Sequence, residues 1–165
     1  MLVFIQNIFL FIILILVQVL ALNNIQFLGY INPYIYILFI FTLPVRTPQW
    51  LTLLLSFLIG FIIDIFSNTM GMHAFASVLI GFLRPYVIQL FISFDEGNNP
   101  TPTFYTFGVG VFVKYVVVLV LIHHFTLFFI EAFSFQHILI VFSKAFFSSV
   151  VSILIILGIR SIKTK

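Results

Sequence analysis

The sequence predicts an all-α integral membrane protein, a six-transmembrane-helix bundle forming one domain over residues 1–165. Three observations carry this. Of 165 residues, 63% are hydrophobic and only 7% charged, against about 25% charged in soluble domains, so a water-facing surface could not be covered. Short polar clusters divide the apolar sequence into runs of bilayer length, and Lys and Arg gather on alternate connections between those runs. At about 20 residues per crossing, six crossings use about 120 and leave about 45 for loops and tails, too few for a separate soluble domain.

The first span is 2–22, apolar apart from Gln6, Asn7 and Gln18. No Lys or Arg precedes Arg46, so the basic n-region of a secretory signal is missing and the segment reads as a retained helix. After the patch Asn23-Asn24-Ile25-Gln26, Pro33 suits the first turn of a second span over 29–43. Pro44 and Pro48 break that helix around Arg46, and Trp50, an interfacial residue type, opens a third span over 50–66. The turn Ser67-Asn68-Thr69-Met70-Gly71 is short enough to return the chain as a helical hairpin into a fourth span, 72–92, with Arg84-Pro85 inside it. Ser93–Thr103 is the clear extramembrane loop. A fifth span covers 104–123, which Phe125–Ile130 could extend, the stretch from His124 to His137 is amphipathic and contains Glu131, and a sixth span covers 138–159.

Cytoplasmic connections are enriched in Lys and Arg. One side of this arrangement holds Arg46, Arg84, Arg160, Lys163 and Lys165, and the other holds none. The bias places both termini and the Ser93–Thr103 loop in the cytoplasm. Three basic residues at the end form a tail too short for a nucleic-acid footprint, and membrane lipid is the expected surrounding.

Ionisable groups in hydrocarbon cost roughly 2.5–3.5 kcal/mol each on insertion scales and need a partner or a purpose. Four stand out: Asp64, Arg84, Lys114 and Lys144. Asp64 and Lys144 enter from the same side at similar depth, which suggests an ion pair. Lys114 falls near the midplane, and Arg84 is close enough to the cytoplasm to snorkel. The four either hold the bundle together by pairing or mark a transport or proton pathway.

Enzymatic chemistry finds little footing. There is no cysteine, which removes disulfides, thiolate metal sites and thiol nucleophiles. His123 and His124 are adjacent and point about 100° apart on a helix, so they cannot share an ion. No Ser/His/Asp arrangement and no phosphate-cradling glycine loop occurs, so no cofactor is expected. Gly108-Val109-Gly110 reads as close helix packing. So do small residues four apart: Ser56 and Gly60, Ser77 and Gly81, Ser148 and Ser152. The 24 phenylalanines are mainly lipid-facing, with a partner's membrane helix as a second use.

Val19–Pro44, with Asn23-Asn24, Gly29-Tyr30-Ile31-Asn32-Pro33-Tyr34 and Leu43-Pro44, resembles the rod shape-determining MreD family. The likeness continues through Gly60-Phe61-Ile62-Ile63-Asp64, Gly71-Met72-His73-Ala74 and Phe82-Leu83-Arg84-Pro85, and covers residues 19 to about 86. Beyond that, only length, hydropathy and span count agree. The resemblance implies a non-enzymatic scaffold of the bacterial inner membrane. Its partner would be MreC and, through it, the MreB filament and the glycan polymerase and transpeptidase of wall elongation. It also implies a fold similar to the substrate-binding subunits of energy-coupling-factor transporters. That likeness names the competing function, a vitamin-type transport subunit, for which the polar groups are chiefly Asn23, Asn24, Gln26, Asn32, Asp64, Asn68 and His73. A homo-oligomer is open.

The same motif has a direct physical reading. Asp64 is placed to accept hydrogen bonds from backbone N–H groups opening the fourth helix, where the helix dipole favours an anion. Gly71 would permit the turn, and His73 would stand beside the carboxylate. A partner-binding or a ligand role for this outer corner are the alternatives.

Overall fold

The computed structural model describes residues 2–24, 31–93, 99–133 and 138–162. Outside these lie Ile25 and Gln26 of the polar patch, the Gly29-Tyr30 start expected for the second span, Asp95, Glu96, His137, Lys163 and Lys165. The described residues are helical, with no strand: α1 Leu2–Leu20, α2 Leu38–Phe41, α3 Gln49–Ser67, α4 Met72–Phe91, α5 Phe104–Phe107, α6 Val109–Ala132 and α7 Ile138–Ile162. Five of these (α1, α3, α4, α6 and α7) are long and apolar enough to cross a membrane, which makes the chain a multi-pass membrane protein. Their outer surfaces carry exposed large apolar side chains such as Phe57, Phe61, Phe82, Phe142 and Phe147, as lipid-facing helices require.

The expected second span at 29–43 is not a transmembrane helix. Ile31–Ile35 is irregular, Tyr36-Ile37 turns, and only α2, one turn long, is helical. Pro33 disfavours helix at Asn32, and the alternation Tyr34-Ile35-Tyr36-Ile37 suits an extended chain. Hydropathy cannot separate the two conformations, since residues 33–43 are buried throughout.

Non-helical backbone at membrane depth survives only inside protein with its polar groups satisfied. Here, side chains of four helices do that. Gln18 of α1 accepts from Ile35 N–H (2.9 Å) and donates to the Pro33 carbonyl (3.1 Å). Ser148 and Ser152 of α7 accept from the N–H groups of Asn32 (3.1 Å) and Tyr34 (2.9 Å). The match is metric: two residues of extended chain advance about 6.6 Å and four of helix about 6 Å. The Ser148/Ser152 spacing is thus a pair of acceptors for an approaching backbone. At the other end Tyr115 of α6 donates to the Phe41 carbonyl (3.2 Å), and Arg84 of α4 donates to the carbonyls of Leu43 and Pro44.

Val45 N–H then bonds the Pro100 carbonyl (3.0 Å), Arg46 N–H bonds Asn99 Oδ1 (2.7 Å), and Arg160 donates to the Pro102 carbonyl (3.0 Å). These contacts define one end of the bundle. Asn23 donates to Ser67 (2.9 Å) at the opposite end.

The fifth span also differs from expectation. A capping box between Thr103 and Thr106 starts α5, Gly108 at φ 75° interrupts the helix, and α6 continues to Ala132 rather than stopping at 123. Nothing in Phe125–Ile130 breaks a helix, so His123 and His124 lie inside α6.

α3 and α4 form a hairpin of close approach. A Cβ on Gly60 would meet the Ala74 Cα and the His73 carbonyl at 2.6 Å, and one on Gly81 would strike the Ser56 hydroxyl. Pro85 cannot bond the Gly81 carbonyl four residues back, and the Gln49 amide donates there instead (3.4 Å). Because the atoms facing Gly60 are backbone, Gly60→Ala is expected to destabilise the hairpin by about 2 kcal/mol. Thermal unfolding in detergent measures this, and an unchanged midpoint would refute the contact.

Candidate functional site

The α3–α4 turn is built around Asp64. Asn68 enters the left-handed region (φ 53°) to end α3, the Thr69 N–H returns to the Asp64 carbonyl (3.0 Å), and Gly71 (φ 80°) launches α4. Only glycine adopts the latter conformation without strain. This geometry brings the start of α4 over the carboxylate. Asp64 Oδ1 accepts from His73 N–H (3.0 Å) and the Thr69 hydroxyl (2.5 Å), and Oδ2 accepts from Ala74 N–H (2.8 Å). His73 Nδ1 lies 3.2 Å from Oδ1. A carboxylate only accepts, so Nδ1 carries the proton. Nε2 of His73 is buried without a hydrogen-bond partner among the described residues.

The Asp64–Lys144 pair expected from depth is absent: Asp64 is satisfied locally by its own turn. Lys144 is half-buried on α7, and Lys114 is exposed on α6. Arg84 does not snorkel. It is 1% exposed, its Nε donating to the Tyr115 hydroxyl (3.1 Å) and its Nη2 to the carbonyls after α2. The structure therefore unites Asp64, Gly71 and His73 in one corner and assigns Arg84 to the opposite half of the bundle.

Sequence reasoning missed the residues behind that corner. The Tyr34 ring packs on His73 (5.1 Å between centroids) and His124 (5.5 Å), and the Tyr36 ring on His73 (5.9 Å) and His123 (5.5 Å). The Tyr36 hydroxyl meets His123 Nε2 at 2.7 Å, with Ser77 donating to the same oxygen at 3.4 Å. His124 Nδ1 donates to the Val120 carbonyl (3.0 Å), which leaves Nε2 to take the Ser152 hydroxyl (2.9 Å). The two adjacent histidines thus diverge, one to the irregular segment and one to α7. Among the described residues no group of three His, Asp or Glu side chains is arranged to hold a metal ion.

Beside this cluster, at the Asn23 end, is a cavity of about 340 Å³ whose walls include Asn23, Asn24, Asn32, Tyr34, His73 and Glu131. A second hollow of about 610 Å³ lies between α1 and α3, walled chiefly by apolar side chains such as Phe11, Phe39, Leu51 and Leu55. Compared with known proteins, the chain matches no protein-family model, no curated sequence and no solved structure.

Proposed function

We propose that this protein is an MreD-like scaffold of the bacterial inner membrane, non-enzymatic, with both termini cytoplasmic, that binds MreC and helps organise wall synthesis during cell elongation. One observation carries the reading. The residues quoted for the resemblance form a single mechanical unit: Gly60 admits the α4 backbone, Asp64 ties down its first N–H groups, Gly71 makes the turn and His73 braces the carboxylate. Arg84, from the same likeness, braces the other end of α4 against Leu43-Pro44. The gathering of Arg46 and Arg160 at one end supports the orientation.

Affinity purification of the tagged full-length protein in mild detergent tests the proposal. MreC and the wall synthases are expected to co-elute, and depletion is expected to round rod-shaped cells. Recovery of an ATPase-linked transport subunit without MreC, or depletion that leaves cell shape unchanged, would overturn it in favour of a transport role.

A further inference from the structure

We infer that the cavity at the Asn23 end binds a small organic ammonium compound, recognised by hydrogen-bond acceptors and aromatic faces. The inference does not rest on the scaffold reading. Its basis is the charge on the described walls and the commitment elsewhere of the donors of four wall residues.

Ile35 N–H fixes the Gln18 amide by donating to Oε1 (2.9 Å), so Gln18 Nε2 must face Asn23 Oδ1 (2.9 Å). Asn23 is thereby oriented, and its own NH₂ goes to Ser67 (2.9 Å). The Asn24 NH₂ is spent on the carbonyls of Val19 (3.3 Å) and Leu20 (3.0 Å). The Thr69 hydroxyl and the Nδ1 proton of His73 are both committed to Asp64. Four wall residues have thus turned donors inward. What they and Glu131 leave toward the cavity is acceptors: Asn24 Oδ1 and the Glu131 carboxylate.

Charge points the same way. Glu131 is the charged side chain on the described walls, with no Lys or Arg among them. Lys144 does not line the cavity, and Arg46, Arg84 and Arg160 belong to the other half of the bundle. Tyr34 and Phe66 add ring surface, to which a cation is attracted and an anion is not. At roughly 30 Å³ per non-hydrogen atom, taking water's share of liquid volume as the guide, the space suits a molecule of about ten such atoms.

Three probes of nearly equal size separate the chemistries: 2-phenylethylamine, 2-phenylethanol and phenylacetate, titrated calorimetrically into the full-length protein in dodecyl maltoside. The amine is expected to bind at least about tenfold tighter than the alcohol, with phenylacetate silent; tenfold corresponds to about 1.4 kcal/mol. Glu131→Gln is expected to abolish most of that preference without moving the melting temperature, because Glu131 is exposed. Asn24→Leu, at a second exposed position, provides the same readout should the first variant misfold. Adding phosphatidylethanolamine distinguishes sources. Displacement of the probe makes a lipid headgroup the occupant, and retention makes it a soluble amine. Equal binding of amine and alcohol, preference for phenylacetate, or binding of none of the three would overturn the inference.

Discussion

Asp64→Asn is expected to lower the stability of the folded bundle by about 2–4 kcal/mol while leaving membrane insertion intact, because an amide cannot serve both edges of the site. The carboxylate receives Thr69 and His73 on Oδ1 and Ala74 N–H, 2.8 Å away, on Oδ2. If the amide oxygen replaces Oδ1, the NH₂ confronts Ala74 N–H. If it replaces Oδ2, the NH₂ confronts His73 N–H and the Thr69 hydroxyl. Either orientation sets donor against donor in a buried corner, and the loss of negative charge at the α4 N-terminus adds about 0.3–1 kcal/mol. Thermal unfolding in detergent reads the stability, and resistance to alkaline extraction reads insertion. A variant with wild-type unfolding would remove Asp64 from the account of the hairpin. Loss of MreC binding without loss of stability would instead make the corner a contact surface.

The corner was legible because everything in it lies within ten positions of Asp64. The turn length, the glycine and the first N–H groups of α4 are local facts, and local facts are what spacing encodes. Arg84 and the second span were not legible, for the opposite reason. Ile31–Leu43 has the hydropathy of a helix, and it is irregular because side chains distant in sequence satisfy its backbone, among them Gln18, Ser148 and Ser152, up to 118 positions away. A glutamine inside the first apolar run and two serines four apart in the last were the available signal, since each is a polar group in need of a buried partner. Glu131 misled in another way. Counted as extramembrane, it hid the continuation of α6, and with it the position of His123 and His124 beneath Tyr34 and Tyr36.

Arg84→Lys should be nearly as damaging as loss of the charge, on the order of 3 kcal/mol, although it preserves the positive group. The guanidinium uses two nitrogens in two directions: Nε reaches the Tyr115 hydroxyl at 3.1 Å, and Nη2 reaches the carbonyls of Leu43 and Pro44. An ammonium has a single nitrogen and cannot span both. Those carbonyls terminate the irregular segment, and among the described residues Arg84 meets no carboxylate, so its role is to satisfy backbone where α2 ends. Unfolding of Arg84→Lys, Tyr115→Phe and the double variant separates the contributions. The two sites are expected to couple by about 1 kcal/mol or more, since the Tyr115 hydroxyl accepts from Arg84 and itself donates a hydrogen bond to the Phe41 carbonyl at 3.2 Å. Additive effects would mean that Arg84 and Tyr115 support the segment independently. Arg84→Lys at wild-type stability would mean that a point charge suffices, and the forked geometry would cease to explain why an arginine is buried there.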